Sequence, residues 1–485
     1  MKVIRLSFLC FSICFYAFSS SFDTIDEHYQ VNMVELQVKV QDLGGNFIPG
    51  LKADDIVVKE NGTVQEIAQL DEIRLNDLPP AESQDYQSRL MILLDFKNTK
   101  YVDMRRVFPQ LKDFVLTLHN KKTQLGLAVN EDGIIEFSGF TTDTEQLLQA
   151  IEKAEQFYHR SPFRNHTSVG LPTDAGGFPY GFRAQKAFQV NRDFIDEYYQ
   201  KELEALAQFV RYLGAHTGKK NLLLISGFWS QNGNFEAEGS RDREGITSLK
   251  DIQTVCIKQK TAVSVINVED RSPFAAHVAH ASQVRDSMIF ERTMALAAST
   301  AGSYYRANAR NLAKLIDRSL RDGEHYYRVR YYSQYSGDKF RKISVKAKGL
   351  KRLAHTTFGF FPSGRTLDPM EVNGRLKHAA SLSYDLFAAS DWLNWETFGW
   401  FKQRANYAYA QRLFDQQGNL VYEQVQAGEL HRRYKRAKTV SPPIQEHLKI
   451  PAVPQGEPAF LEVILTDLSS GKTVTFQKPV PPKTT

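Results

Sequence analysis

Apolar and polar residues alternate strictly near the start of the chain. In "VELQVKVQ", Val34 to Gln41, every second residue is apolar, which is the pattern of a half-buried β-strand. The turn signals "DLGGN" and Asn61-Gly62 separate this strand from further short ones. The pattern therefore predicts an all-β segment over residues 31–75.

From Leu90 the pattern changes to apolar strands that alternate with helical periods. The strand candidates are "LMILLD", "TQLGLAV", "NLLLIS" and "AVSVINV". Continuous apolar strands separated by helices are typical of a sheet covered on both faces. We therefore predict an α/β domain with a doubly wound, mostly parallel sheet over residues 88–324. Residues 159–192 show no period, and a loop of this length favours a lid or binding loop.

After the α/β region, apolar and polar residues again alternate with a period of two. Residues 325–361 predict further strands, and neither this segment nor 31–75 has enough strands for a stable core of its own. We therefore expect the two segments to pair as one β-sandwich around the inserted α/β domain. Residues 366–485 predict hairpins about Gln417–Asn419 and Ser469–Gly471, which favour a C-terminal immunoglobulin-like β domain.

The first 19 residues have the pattern of an export signal. Lys2 and Arg5 precede the apolar run "LSFLCFSICFYAF", and Ala17-Phe18-Ser19 is a small-x-small cleavage site. An uncleaved anchor is the competing interpretation. No later stretch is long and apolar enough to cross a membrane, so we expect a periplasmic or secreted protein without a transmembrane segment after cleavage.

Composition narrows the class of protein further. Of 485 residues, 42% are hydrophobic and 24% charged, which is ordinary for a globular chain of several domains. Signal cleavage would remove Cys10 and Cys14 and leave Cys256, so no internal disulfide is expected. A formal charge of +6 over this length gives no indication of nucleic-acid binding.

The order of these elements, with Asp95 ending the first strand of the α/β region, resembles the von Willebrand factor type A domain. It is similar in particular to the exported VWFA-related family of the acidobacterial type. The resemblance covers about residues 31–361, with "LEVILTDLSSGKTVTF" near the end of the chain also similar. Its matching segments are "VQDLGGNFIPGLKADDIVVKENGTVQEI", "ILLDFKNTKYVDMRRVFPQLKDFV", "KKNLLLISGFW", "SVINVEDR" and "ALAASTAGSYYRANARNLAKLIDRSLRDGEHYYRVRYY".

The resemblance implies a metal-ion-dependent adhesion site that has degenerated. Type A domains bind Mg²⁺ through an Asp-x-Ser-x-Ser loop, a loop threonine and a second aspartate, leaving one vacancy for a partner's carboxylate. Asp95 matches the first aspartate and Thr99 the last hydroxyl of that loop. Lys97 stands at the middle hydroxyl position, and Ser226 stands where the second aspartate belongs. The formal charge around an ion thus rises by two units, which opposes tight binding.

Three interpretations of this loop stay open. Asp95 and Thr99 could retain a weak Mg²⁺ or Mn²⁺ site. Lys97 could pair with Asp95 and leave a metal-free partner-binding surface formed by Asp95, Lys97, Asn98, Thr99 and Ser226. Alternatively, Asp95 caps the first helix or holds the loop through backbone N–H groups.

The sequence contains no Gly-x-Ser-x-Gly elbow, Walker loop or dinucleotide fingerprint. His277 and His280 lack the glutamate that a zinc hydrolase needs. We therefore predict an exported, non-enzymatic adhesion or scaffold-like module whose partner is a protein in the cell envelope or outside. The alternative is a hydrolase or glycan-binding protein that uses loop 159–192 or the C-terminal aromatics, which are Trp392, Trp395, Trp400 and Phe401. The sequence names neither the partner nor the oligomeric state.

Overall fold

The structure is a computed structural model of the full chain. The structure describes residues 33–43, 46–74, 88–99, 101–117, 123–131, 133–160, 201–227, 249–268, 293–307, 311–333, 335, 339–349, 353–356, 359–360, 376–377, 382–388, 390, 392–397, 402–433, 441–450 and 458–479. The predicted signal at 1–19 lies outside these ranges. So does loop 159–192, apart from its first two residues.

The first β segment contains β1 (Met33–Gln41), a 3-10 turn (Ala53–Asp55), β2 (Ile56–Glu60), β3 (Thr63–Gln65) and β4 (Ile67–Arg74). The alternation predicted for β1 is present in its first half, where Val34 and Leu36 are buried between exposed neighbours, but it ends at Val38, because Lys39 and Gln41 are buried too. The hairpin between β2 and β3 turns at Asn61 and Gly62, which both have positive φ angles.

The α/β domain follows with β5 (Ser88–Asp95), α1 (Tyr101–Leu116), β6 (Gln124–Asn130), β7 (Ile134–Thr141), α2 (Thr144–Arg160), α3 (201–214), β8 (Lys219–Ser226), α4 (Leu249–Lys258), β9 (Thr261–Asn267), α5 (293–299), β10 (Tyr304–Arg306) and α6 (Leu312–Glu324). Its strand order is β10-β9-β8-β5-β6-β7. All neighbours are parallel except β6 and β7. The predicted doubly wound, mostly parallel sheet is confirmed.

Helices cover both faces of this sheet. Leu90, Ile92 and Leu94 of β5 face α1, α2 and α6. Met91 and Leu93 face α3, α4 and α5. Every residue of β5 is buried, as expected for a central strand covered on both sides.

The chain then returns to β structure with β11 (His325–Tyr332), β12 (Arg341–Ala347), β13 (Leu353–His355) and β14 (Gly359–Phe360). β1 pairs antiparallel with β11, and β2 pairs antiparallel with β12. Two four-stranded sheets result, in the orders β13-β1-β11-β4 and β14-β12-β2-β3. Val38, Val58, Tyr327 and Val329 lie in their shared core, so the β segments before and after the α/β domain pack together.

The C-terminal region has β15 (Leu376–Lys377), β16 (Leu382–Ala388), β17 (Glu396–Thr397), β18 (Lys402–Asp415), β19 (Leu420–Arg433), β20 (Ile444–Ile450), β21 (Pro458–Asp467) and β22 (Thr473–Pro479). One sheet has the order β15-β16-β20, and the other β17-β18-β21-β22 with β19 beside β18. Both predicted hairpins are present, and Gly418 and Gly471 supply the positive φ angles at their turns.

The C-terminal β domain packs against α3 of the α/β domain. Ala408 and Ala410 of β18 are fully buried in this contact, and their small side chains let the helix approach closely. Arg211 Nη1 donates to the Leu468 carbonyl over 2.6 Å, and Arg412 Nη2 donates to the Ala215 carbonyl over 2.7 Å. Within the described ranges, no helix is long and apolar enough to cross a bilayer.

Candidate functional site

Asp95 is the centre of a buried polar cluster at the carboxyl edge of the central sheet. Its side chain is fully buried. It accepts hydrogen bonds from Asn98 Nδ2 over 3.1 Å, Asn130 Nδ2 over 3.1 Å and Ser226 Oγ over 2.7 Å. Asn130 ends β6 and Ser226 ends β8, so one carboxylate joins the ends of three neighbouring strands. The Asn98 backbone N–H also donates to Asp95, over 3.3 Å, as the loop-holding interpretation expects.

Lys97 forms its ion pair with a carboxylate that the sequence analysis did not identify. Its Nζ lies 3.8 Å from Oε2 of Glu202, near the start of the described part of α3, and both side chains are almost fully buried. Glu202 Oε1 also accepts from Asn98 Nδ2 over 2.7 Å and from Asn130 Nδ2 over 3.2 Å. The suggested Lys97–Asp95 pairing stays a prediction, and α3 adds Glu202 to the same cluster as a second acidic group.

Burial controls the protonation of the two carboxyl groups. It raises the pKa of Asp95, against the hydrogen bonds from Ser226, Asn98 and Asn130. Burial also raises the pKa of Glu202, to about 7, helped by the charge of Asp95 and opposed by Lys97. Near neutral pH Glu202 is therefore partly protonated, in a cluster that combines the Lys97 amine with two carboxyl groups.

The hydroxyl groups of Thr99 and Ser226 take part in hydrogen bonds that join the ends of β5 and β8. Thr99 Oγ1 accepts from the Gly227 N–H over 2.8 Å, while Ser226 donates to Asp95. A Cβ on Gly227 would lie 3.0 Å from the Asn98 carbonyl oxygen, so the loops after β5 and β8 are in close contact. With an ammonium group in the same cluster, these residues fit an octahedral Mg²⁺ poorly. Among the described residues, no group of three or more His, Cys, Asp or Glu side chains could hold a metal.

Burial differs among the five residues predicted to bind a partner. Asp95, Lys97, Thr99 and Ser226 are buried, and Asn98 is half-buried. Lys97, Asn130 and Glu202 nevertheless line a cavity of about 1150 Å³. Its other wall belongs to the C-terminal β domain, and includes Asn406 and Gln426. We call this cavity the interdomain cleft.

Two residues of the cluster were missed by sequence reasoning. Asn130 could have been found, since it ends the strand beside β5 and pairs with Asp95 in the parallel register. Glu202 lies in a helix whose position over the sheet no local pattern fixes. Its role depends on tertiary structure alone.

The other candidate groups are less informative. Cys256 is fully buried, and burial raises the pKa of its thiol to about 12, so it is not a reactive nucleophile. Trp392 and Trp395 pack against the C-terminal core, and Arg432 lies 4.1 Å over the Trp395 ring. His277, His280, Trp400 and Phe401 lie outside the described residues.

Comparisons with known proteins add little to this description. No family model matches the chain, and no curated protein matches it. Among solved structures, it is similar to an aerotolerance-related membrane protein from Bacteroides fragilis, with 12% identity, a TM-score of 0.25, and coverage of 48% of this chain and 98% of that one.

Two further solved structures are similar at the same level. Manganese-loaded TRAP protein of Plasmodium vivax has 12% identity and a TM-score of 0.26, with coverage of 61% of this chain and 98% of that one. The vWF domain of the type V pili tip protein Mfa5 from Porphyromonas gingivalis has 11% identity and a TM-score of 0.24, with coverage of 48% and 94%. Likenesses this low carry no argument about function, so the α/β assignment rests on the strand order of the chain itself.

Proposed function

We propose that the chain is an exported, non-enzymatic protein-interaction module that presents the carboxyl edge of its α/β sheet without tight metal binding. Its partner site would comprise Asp95, Lys97, Asn98, Thr99 and Ser226. The observation that supports the proposal is the Lys97–Glu202 ion pair, which brings the Lys97 amine into the cluster around Asp95 and lines the interdomain cleft. The ammonium group would do what a metal ion does elsewhere, which is to balance the buried carboxylates.

The wider organisation belongs to the same proposal. Export would depend on the signal at 1–19, and the partner would be a protein in the cell envelope or outside. The domains would be the paired segments 31–75 and 325–361, the α/β domain 88–324 and an immunoglobulin-like domain 366–485. For the alternative of a hydrolase or glycan-binding protein, the described residues offer no supporting observation, because Trp392 and Trp395 pack against a core.

Calorimetry with Mg²⁺ and Mn²⁺ on the full chain tests the metal-free part of the proposal. We expect no saturable heat with the parent chain. Lys97→Ser restores a hydroxyl and removes the ammonium group, so this variant should gain measurable Mn²⁺ binding. Tight binding by the parent chain would contradict the proposal.

Capture of proteins from the native envelope tests the partner site. Asn98→Arg places a bulky side chain at the half-buried member of the cluster, and we expect it to lose the captured partner. Gln149→Arg makes the same chemical change on the exposed side of α2 and should retain it. Equal capture by both variants would argue against a site at this loop.

A further inference from the structure

The interdomain cleft runs between the outer strands of two different sheets. β7 is the last strand of the central sheet, and β19 is an outer strand of the C-terminal sheet. Among the described strands, β7 pairs only with β6, and β19 only with β18. Gly133, Ile134 and Glu136 line the cleft on one side, and Val425, Gln426 and Ala427 line it on the other.

The lining pattern shows that the cleft follows the edge of β19. Successive side chains of a strand point to opposite faces of its sheet. Three consecutive residues of β19 therefore line one cavity only if that cavity lies along the strand's side. In an antiparallel pair, every second residue of an outer strand directs its N–H and C=O away from its neighbour. The cleft is thus bordered by backbone groups that can accept another strand.

β19 is a better template for such pairing than β7. Its register with β18 is unbroken from Arg433 to Tyr422, whereas the pairing of β7 with β6 shifts twice. Natural edge strands are usually protected by irregularities of that kind, by lysine or by proline. The stretch Gln424–Gly428, "QVQAG", has no charge and no proline. We call this stretch the β19 edge.

The size and polarity of the cleft indicate what could bind there. A volume of about 1150 Å³ exceeds the usual range for small-molecule pockets, and five residues of strand extend about 17 Å. The lining carries four acidic and three basic side chains, and Glu202 is partly protonated near neutral pH, so the cleft suits a polar ligand and offers acidic partners to a basic one. The carboxylates are those of Glu136, Glu202, Glu204 and Glu396, and the cations are Lys97, Lys201 and Arg404.

We propose that the cleft binds an extended, polar or basic peptide segment of a partner protein, which adds a strand to the β19 edge. This inference rests on the proposed function as an interaction module and specifies the form of the partner. Main-chain hydrogen bonds would supply the affinity, as in other cases of strand addition, and the cleft walls would select the side chains.

A phage-displayed library of random peptides, selected on the immobilised full chain, provides the probe. The best binder is synthesised unmodified and with N-methyl groups at alternate residues. We expect methylation in one of the two alternating sets to weaken binding roughly tenfold or more, because each lost main-chain bond leaves an unpaired group. Ala427→Lys, which blocks the edge, should lose binding, while Gln477→Lys on the outer strand β22 should retain it. Both variants are checked by thermal unfolding.

Three results would overturn the inference. One is that neither set of N-methyl groups weakens binding. Another is that no peptide prefers the parent chain to the Ala427→Lys variant. In addition, an envelope protein that is captured equally by the parent and Ala427→Lys chains would overturn the strand-addition mode while leaving the proposed function intact.

Discussion

Glu423 and Glu202 are both buried glutamates, yet their surroundings favour opposite protonation states. Glu423 Oε2 lies 2.7 Å from Arg89 Nη2, and Glu423 Oε1 lies 3.0 Å from Arg412 Nε and accepts from the Thr217 N–H over 2.9 Å. Burial alone would raise its pKa, but His216, at 3.8 Å, and the charges of Arg89 and Arg412 outweigh burial and hold the pKa well below its usual range.

Glu202 has one ammonium group nearby, at 3.8 Å, and it shares the cluster with Asp95. Burial and the neighbouring negative charge dominate, and the pKa rises to about 7. The comparison teaches that burial raises the pKa of both carboxyl groups, and that their neighbours, two guanidinium groups beside Glu423 and Asp95 beside Glu202, drive the two pKa values apart. The Glu423 cluster joins the α/β domain to the C-terminal β domain, whereas Lys97 and Glu202 of the other cluster line the interdomain cleft.

Among the predicted changes in the free energy of unfolding, the largest should come from Glu423→Gln. The change removes the carboxylate that Arg89 and Arg412 share, although Arg412 keeps Glu462 at 3.1 Å, and breaking a buried ion pair in this way costs about 3–5 kcal/mol. The free energy of unfolding, measured by urea denaturation, should fall by that amount. Glu429→Gln on the same strand, where the side chain is 43% exposed, should change it by less than about 1 kcal/mol. Equal losses would mean that the interface does not depend on this charge cluster.

The next largest effect is on the pH dependence of stability, to which Glu202 should contribute. Its folded pKa of about 7 lies above the unfolded value of about 4.3, so between these values the folded state binds more protons. Stability should therefore decrease as pH rises from about 4.3 to 7 and then level off. Glu202→Gln should remove about 2–3 kcal/mol of the difference in unfolding free energy between pH 5 and pH 8.

The control for this pH effect is Glu152→Gln on the exposed side of α2. It should leave the difference between pH 5 and pH 8 unchanged. If Glu202→Gln also leaves that difference unchanged, Glu202 is ionised in the folded protein at pH 5, and the contrast with Glu423 is wrong.

The two clusters also show which residues of a buried site can be predicted from the sequence and which cannot. Asp95 and Ser226 were recognisable because they end buried strands, and parallel strands place their carboxyl ends at one edge. Asn130 follows the same rule. Glu202 and Glu423 do not, since one lies in an amphipathic helix and the other in an ordinary hairpin strand. Their partners, Lys97 and Arg89, meet them only after whole elements dock, and no local pattern encodes that docking.

A smaller effect should come from Ser226→Ala. This change removes the 2.7 Å hydrogen bond to Asp95 in a buried cluster and should cost about 1–3 kcal/mol. In an Asp95→Asn background the loss should shrink, because the acceptor no longer carries a charge. A double-mutant cycle measures this coupling, and a coupling near zero would contradict the view that Asp95 links the strand ends.

The smallest effect on stability should come from a partly exposed ion pair that lies outside both clusters. Lys112 of α1 and Glu155 of α2 are 2.8 Å apart, yet their side chains are 31% and 28% exposed. Water screens such pairs, so a double-mutant cycle with Lys112→Met and Glu155→Gln should give a coupling of about 0.2–1 kcal/mol that decreases with added salt. The distance in this pair is close to that of Arg89 and Glu423. A coupling as large as the loss in Glu423→Gln would therefore mean that distance, not burial with several cations, sets the strength of these interactions.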